Sequence, residues 1–140
     1  MSGRVITCYT DGSVKSNPGQ GGWGVIFLHG DKEKCISGSD DHTTNNRMEL
    51  MAAIMAVESI TVECDIHVHT DSQYVKRGIT EWIHGWKRKN YSGVKNDDLW
   101  RRLDAACQGK SIKWVWVRAH VGNHYNEKCD VLAKKAAGVI

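Results

Sequence analysis

The chain has 140 residues, of which 41% are hydrophobic and 25% are charged, and its formal net charge is +3. These values are typical of one globular domain and exclude a disordered protein. Because no run approaches the ~20 apolar residues of a membrane helix and residues 1–10 lack the regions of a signal peptide, we expect a cytoplasmic protein with a single domain, residues 1–140.

Three strands are predicted in the first part of the chain. Val5–Thr10 is rich in β-branched and aromatic residues and stops at Asp11-Gly12-Ser13, while Trp23–Leu28 and Lys34–Gly38 have the same character. The connections between them are short, which predicts an antiparallel meander.

The apolar pattern then changes to a helical period. From Leu50 to Val57 apolar residues recur at i, i+3, i+4 and i+7, which indicates an amphipathic helix, and Thr44 is a suitable N-cap just ahead of it. Asp65–Thr70 alternates between apolar and polar residues and is predicted to be the fourth strand.

Further helices and a fifth strand complete the pattern. We predict a short helix that starts at Ser72 and is interrupted at Gly78, a helix near Thr80, a helix capped by Asn96, a strand over Ile112–Val117 and a last helix near Asn126. The resulting order βββαβαβα, with right-handed crossovers between parallel strands, predicts an α/β fold with a mixed sheet flanked by helices.

Four carboxylates are candidates for a metal site. Asp11 and Asp71 each follow a Thr at the end of a predicted strand, and ligands collect at the carboxyl ends of parallel strands. Glu49, in the first turn of its helix, and Asp130, in the first turns of the last helix, can reach the same edge. Each acid alone is explained as well by a turn or a helix dipole. Together they favour Mg²⁺ and phosphodiester hydrolysis with two ions.

A histidine in the loop after the fifth strand is a second candidate for catalysis. His120 could carry a proton or help to release product, or it could be a surface residue, and the sequence leaves both open. His124 lies four residues further on, but Gly122 and Asn123 separate the two, so we do not expect a zinc pair.

Cationic and aromatic residues are concentrated between Lys76 and Lys95. Cations pair with phosphates and aromatic rings can stack on bases or sugars, which favours a nucleic-acid surface. Trp82 and Trp86 also have the spacing of one helix face, so we expect one of them in the core. The cations that we assign to the binding patch are Lys87, Arg88 and Lys89.

Five segments in order resemble the bacterial type 1 ribonuclease H family, and the resemblance runs from about Val5 to Ala137. The segments are Tyr9–Ser13, Thr43–Leu50, Thr70–Val75, Trp82–Lys87, and His120 with Asn126-Glu127 and Cys129-Asp130. The resemblance implies a ribonuclease H-like, five-stranded mixed sheet. It also implies that two Mg²⁺ or Mn²⁺ ions are bound by Asp11, Glu49, Asp71 and Asp130, and that His120 is the family's mobile-loop histidine.

The family cuts the RNA strand of RNA–DNA hybrids endonucleolytically and leaves 5′-phosphate and 3′-hydroxyl ends, so the resemblance implies this activity and this nucleic-acid partner. A monomer is the default expectation. The implied substrate contacts are Asn17 and Gln73 in the minor groove, Asn45 and Asn46 between the strands, Thr44 and Asn96 at a DNA-strand phosphate, and Tyr74 and Trp82 at a deoxyribose.

The chain departs from the common family pattern at three places. The basic protrusion between Trp86 and Val94 is shorter, which could weaken hybrid binding. His42 stands where many members carry an arginine of the phosphate pocket, so that contact could depend on pH. The usual C-terminal tail is not seen, and we expect stability to be affected more than activity.

Three alternatives differ in testable ways. An exonuclease or junction resolvase of the same broad fold would share the carboxylates but not the features at Thr44–Asn46, and would cut duplex DNA. A hybrid-binding module without catalysis would gain from losing negative charge near phosphates. A domain detached from a reverse transcriptase is disfavoured by the bacterial-style motifs and by the lack of a polymerase segment.

Overall fold

The computed structural model describes residues 4–118 and 123–140. Within these ranges the strands are β1 (Val5–Val14), β2 (Gly19–His29), β3 (Lys32–Thr43), β4 (Asp65–Thr70) and β5 (Ser111–Trp116). The helices are α1 (Asn45–Glu58), α2 (Gln73–Arg77), α3 (Ile83–Arg88), α4 (Asp97–Cys107) and α5 (His124–Ala137), with a π-helical turn at Gly78–Trp82 between α2 and α3. None of these helices has the length and apolar character that a bilayer crossing requires.

The strands form one mixed sheet in the order β3-β2-β1-β4-β5, which confirms the predicted five-stranded architecture. β1, β2 and β3 pair antiparallel, whereas β4 pairs parallel with both β1 and β5. The last pair in the parallel ladder joins Thr10 to Thr70. The residues that follow, Asp11 and Asp71, therefore come to the same edge of the sheet.

The first three strands are longer than predicted. β1 continues through the Asp11-Gly12-Ser13 segment to Val14, and Ser13 pairs with Gly22 in β2. The composition Asp-Gly-Ser is typical of a turn, but here it lies within the ladder. β3 extends beyond its predicted end at Gly38 to Thr43, because a strand at the edge of a sheet tolerates polar residues.

Helices cover both faces of the sheet. α1 packs its Met48, Ala52 and Ala56 against Cys8 and Val25. On the opposite face, α5 lies so close to β2 that a Cβ on Gly22 would be 2.4 Å from the backbone nitrogen of Ala137. In the first half of α5, the Sγ of Cys129 lies 3.3 Å from the carbonyl oxygen of Tyr9 and 3.2 Å from that of Gly24, which places this part of the helix beside β1.

α1 is buried on two sides, so its apolar surface is wider than the single face that the i, i+3, i+4, i+7 pattern predicts. Its other side packs against α4, where Leu50 and Ile54 share a cluster with Trp100 and Leu103. The glycine read as a helix interruption, Gly78, provides space for this cluster, since a Cβ there would lie 2.0 Å from the Trp100 ring. α1 is thus fixed between the sheet and α4.

Candidate active site

Three carboxylates from three different elements converge at the carboxyl edge of the sheet. One oxygen each of Asp11 (β1), Glu49 (α1) and Asp71 (after β4) lies within 4.8 Å of the other two. Asp11 is only 3% exposed and Glu49 only 6%. Glu49 lies in the second turn of α1, not the first, because the helix begins at Asn45 and one turn takes ~3.6 residues. This position turns its side chain toward the sheet.

A glycine allows α1 to approach the strand that carries Asp11. A Cβ on Gly12 would lie 2.5 Å from the backbone nitrogen of Glu49 and 2.6 Å from the carbonyl carbon of Met48. The backbone N–H of Gly12 also donates to Oδ1 of Asp11 at 2.9 Å. We missed this residue in the sequence, because its Asp-Gly-Ser context is typical of a turn.

The backbone around Asp71 is held by the end of β5. The N–H of Val117 donates to the carbonyl of Thr70 at 2.9 Å, and the indole N–H of Trp116 donates to the carbonyl of Asp71 at 3.2 Å. The N–H of Ser72 donates to the hydroxyl of Thr70 at 3.1 Å. The peptide groups on both sides of Asp71 are therefore fixed, which limits the directions that its carboxylate can take.

The fourth carboxylate, Asp130, projects from α5 and lies beside Asp11. It forms an i,i+4 ion pair with Lys134 at 3.0 Å, and this cation was not among the predicted site residues. The charge of Asp130 is near enough to contribute to the raised pKa of Asp11. Asp130 is thus an outer member of the cluster, with a cation already beside it.

The carboxylates of the cluster disfavour one another's ionised forms. Burial, followed by the charges of Asp71 and Asp130, raises the pKa of Asp11 to about 8. Burial, followed by the charges of Asp11 and Asp71, raises the pKa of Glu49 well above its usual range. Among the described residues, no hydrogen-bond partner reaches the buried Oε1 of Glu49. A convergent set of oxygen donors with an unsatisfied buried oxygen fits a hard divalent cation such as Mg²⁺.

The raised pKa of Asp11 predicts how stability depends on pH when a chelator removes divalent ions. The folded protein keeps the Asp11 proton up to about pH 8, whereas the unfolded chain releases it near 3.8. The free energy of unfolding should therefore fall as the pH rises through this window. Urea titrations in EDTA at several pH values measure the slope, and Asp11→Asn should make it shallower. An equally steep slope in that variant would contradict the raised pKa.

Five of the predicted substrate residues line one cavity at the start of α1, the helix that carries Glu49. This cavity has a volume of about 360 Å³ and is lined by Asn17, Pro18, Thr44, Asn45, Asn46, Lys95 and Asn96. The side chain of Asn17 accepts a hydrogen bond from the backbone N–H of Asn45 at 3.2 Å. Gln73 is exposed at the start of α2, after the N-cap Ser72. Predicted residues from three separate segments of the chain thus meet at one surface.

The aromatic residues divide between surface and core. Tyr74 and Trp82 form an edge-to-face pair with ring centroids 6.2 Å apart, and the guanidinium of Arg77 lies 5.1 Å from the Trp82 ring centroid. Trp86 packs against the buried Trp100 at 5.0 Å. Trp86 is therefore the tryptophan that packs against the core, whereas Trp82 is half-buried and stacks between Trp86 and Tyr74.

The predicted basic patch lies at the end of α3. Lys87, Arg88 and Lys89 are all exposed, and Lys87 pairs with Asp104 at 3.3 Å. His42 is also exposed, at the end of β3. His120, the predicted loop histidine, lies outside the described residues.

Comparisons with known proteins identify the family. The family model described as RNase H matches residues 3–138. The chain belongs to the RNase H family. It is 53% identical to a ribonuclease H of Phenylobacterium zucineum, covering 93% of this chain and 88% of the relative. It is 54% identical to a ribonuclease HI of Caulobacter vibrioides, covering 93% of this chain and 91% of the relative.

A solved structure agrees with the RNase H assignment. LC9-RNase H1, described as a type 1 RNase H with the type 2 active-site motif, superposes with a TM-score of 0.90 at 30% identity, covering 99% of this chain and 74% of that one. The predicted resemblance to bacterial type 1 members is confirmed, and the family assignment makes the chain a ribonuclease.

Proposed function

We propose that this RNase H is an endonuclease that hydrolyses the RNA strand of RNA–DNA hybrids with two bound divalent ions, Mg²⁺ or Mn²⁺, and leaves 5′-phosphate and 3′-hydroxyl ends. The observation that carries the proposal is the convergence of Asp11, Glu49 and Asp71, and a cavity lined by amides lies at the start of α1, the helix that carries Glu49. Residues 1–140 act as one catalytic domain, and a monomer is sufficient.

Four carboxylates would hold the ions, namely Asp11, Glu49, Asp71 and Asp130. When bound, the ions activate a water and stabilise the charge that develops on the leaving oxygen. The chain contributes fixed directions: Gly12 anchors the Asp11 carboxylate, and β5 fixes the backbone at Asp71. The burial of Asp11 and Glu49 keeps bulk water from screening their charges.

His120 is proposed to carry a proton at the leaving oxygen or to assist product release. Its sequence position, between β5 and α5, places it in the connection that leads to Asp130. Because the ions would supply the main electrostatic stabilisation, replacing His120 by alanine slows turnover in this scheme but does not abolish it.

Substrate recognition is assigned to the cavity and to the aromatic pair. Asn17 supplies an amide for the minor groove, where 2′-hydroxyls distinguish RNA from DNA, and Asn45 and Asn46 lie between the two strands of the hybrid. Thr44 and Asn96 contact a phosphate of the DNA strand. Gln73 contacts the minor groove, and the edge-to-face rings of Tyr74 and Trp82 receive a deoxyribose.

One labelled RNA strand and one labelled DNA strand, presented in several duplexes, test the proposal. The substrates are an RNA–DNA hybrid, duplex RNA, duplex DNA and single-stranded RNA, each with Mg²⁺, with Mn²⁺ and with EDTA. We expect RNA cutting only in the hybrid, and none in EDTA. Metal-dependent cutting of duplex DNA would replace the substrate assignment, and binding without cutting in either metal would favour a binding module.

The basic patch predicts how hybrid binding depends on salt. Removing two phosphate-pairing cations, Arg88→Ala with Lys89→Ala, should weaken binding and reduce the slope of log Kd against log[salt] by about 1 to 2. The matched control removes Lys32 and Lys34, exposed cations at the hairpin of β2 and β3. Fluorescence anisotropy across a salt series measures both pairs. Equal slopes for both double variants would show that net charge, not the patch, governs binding.

A further inference from the structure

Arg47 joins α1 to the start of α4. Its guanidinium grips Asp98 through two parallel hydrogen bonds, from Nη1 to Oδ1 at 3.0 Å and from Nη2 to Oδ2 at 2.7 Å. Nη1 also donates to Oδ1 of Asn96 at 3.2 Å. A bidentate pair of this kind fixes direction as well as distance. Both Nη1 hydrogens and one Nη2 hydrogen are thus committed within the protein.

The amide of Asn96 is held from both ends. Its Oδ1 accepts from Arg47, and its Nδ2 donates to the hydroxyl of Tyr74 at 3.1 Å. The same hydroxyl accepts from the indole N–H of the fully buried Trp100 at 3.1 Å. Asn96 also has a φ of 61°, in the left-handed region. These contacts determine which way the amide faces and engage only one of its two N–H groups, and Asn96 lines the cavity.

The backbone of Arg47 is tied to the opposite wall of that cavity. The N–H of Arg47 donates to the hydroxyl of Thr44 at 3.3 Å, in the N-cap of α1. Thr44 and Asn96 both line the cavity, and Arg47 contacts one through its backbone and the other through its side chain. One residue therefore connects the two walls.

We propose that the ion pair between Arg47 and Asp98 is a positioning device that sets Asn96 opposite Thr44 and so fixes the subsite for a phosphate of the DNA strand. The inference rests on the proposed hybrid substrate. Arg47 and Asp98 act through Asn96 and Thr44 and are therefore positioning residues. Loss of the pair removes the support that holds Arg47 against Oδ1 of Asn96 and leaves the hydrogen bond to Tyr74, so the amide then has to be ordered when substrate binds.

Charge alone and positioning predict opposite results for one substitution. Asp98→Asn removes a negative charge near a polyanion, so a purely electrostatic role requires tighter hybrid binding. If the pair positions Asn96, the same change weakens binding, because the bidentate grip on Arg47 is lost. The sign of the change in KM therefore decides between the two roles.

A neighbouring acid provides the matched control. Asp97 also lies in the first turn of α4, and it pairs with Arg101 at 3.3 Å instead of Arg47. Asp97→Asn removes the same charge from the same helix terminus. We expect Asp98→Asn to raise KM by about tenfold with kcat within about twofold, and Asp97→Asn to leave KM unchanged or lower.

A second variant keeps the positive charge at position 47 but removes the two parallel hydrogen bonds of the guanidinium. Arg47→Lys should resemble Asp98→Asn in KM if positioning matters, because an ammonium group is a point charge that cannot hold both carboxylate oxygens in one plane. A KM for Arg47→Lys equal to that of the parent would overturn the proposal. Thermal unfolding of each variant establishes that a change in KM comes from folded protein.

A modified substrate locates the effect. Hybrids that carry a single neutral methylphosphonate at successive DNA positions should show one position at which the parent enzyme loses affinity and Asp98→Asn loses little more. Independent losses at every position would contradict the assignment to a phosphate subsite. Hybrid cleavage by the parent enzyme tests the proposed function separately. If the parent cuts hybrids and Asp97→Asn and Asp98→Asn have equal kinetics, the positioning role is rejected and the proposed function stands.

Discussion

Replacing Asp11 by asparagine is expected to lower kcat for hybrid cleavage by about a thousandfold or more while hybrid binding is retained or tightened. Asp11 contributes an oxygen to the cluster, and the charges of Asp71 and Asp130 both raise its pKa. An amide at this position keeps the volume but carries no charge, so it would hold a divalent ion poorly.

Binding and turnover should respond differently because they depend on opposite charges. The cluster repels phosphates until cations neutralise it, so one carboxylate fewer favours binding of a polyanion. Single-turnover rates at saturating Mg²⁺ and anisotropy titrations in Ca²⁺ separate the two effects. Asp31→Asn, in the exposed turn between β2 and β3, removes the same charge far from the cluster and should change neither. A kcat within tenfold of the parent for Asp11→Asn would remove this residue from the catalytic role.

Replacing Gly12 by alanine is expected to reduce both stability and turnover. The new Cβ would lie 2.5 Å from the backbone nitrogen of Glu49 and 2.8 Å from Cβ of Met48. Because the nearest atoms belong to the backbone of a helix held between the sheet and α4, the helix has to shift as a unit. Such overpacking costs about 1 to 3 kcal/mol of unfolding free energy. A displacement of about 1 Å at Glu49 can lower kcat by about a hundredfold.

A second glycine shows what the same substitution does where there is space. At Gly85 in α3 the nearest atom to a new Cβ is the Nη2 of Arg88, at 3.8 Å. Gly85→Ala should therefore stabilise the protein by up to about 1 kcal/mol, through the higher helix propensity of alanine. Urea unfolding in EDTA and initial rates in Mg²⁺ measure both variants. Unchanged stability and activity in Gly12→Ala would mean that the helix is not constrained by β1.

The sheet and two of its acids could be predicted because they follow from local patterns. Parallel pairing of the predicted first and fourth strands up to Thr10 and Thr70 places Asp11 and Asp71 together as soon as the crossover is assumed to be right-handed. The cap at Thr44 was also found, since its hydroxyl accepts the N–H of Arg47. Glu49 was placed one turn too early, although the capping residue already implies a second-turn position.

The features that could not be predicted depend on contacts between distant segments. The sequence around Gly12 is typical of a turn, and Gly78 is typical of a helix break. In the structure, Gly12 provides space for the backbone of α1, and Gly78 provides space for the Trp100 ring of α4. The pair between Arg47 and Asp98 joins positions that no spacing rule connects. The sequence shows that such residues are small or charged, but only the packed structure shows what they contact.

The elements that carry the four carboxylates are synthesised in a fixed order from the N-terminus. β1 supplies Asp11 first, α1 and β4 follow, and α5 with Asp130 is made after β5. Since domains fold as units during synthesis, a nascent chain that lacks α5 has the first three acids but neither Asp130 nor the helix that covers one face of β1 and β2. A chain that stops before α5 therefore lacks one of the four proposed ion ligands and leaves one face of β1 and β2 uncovered.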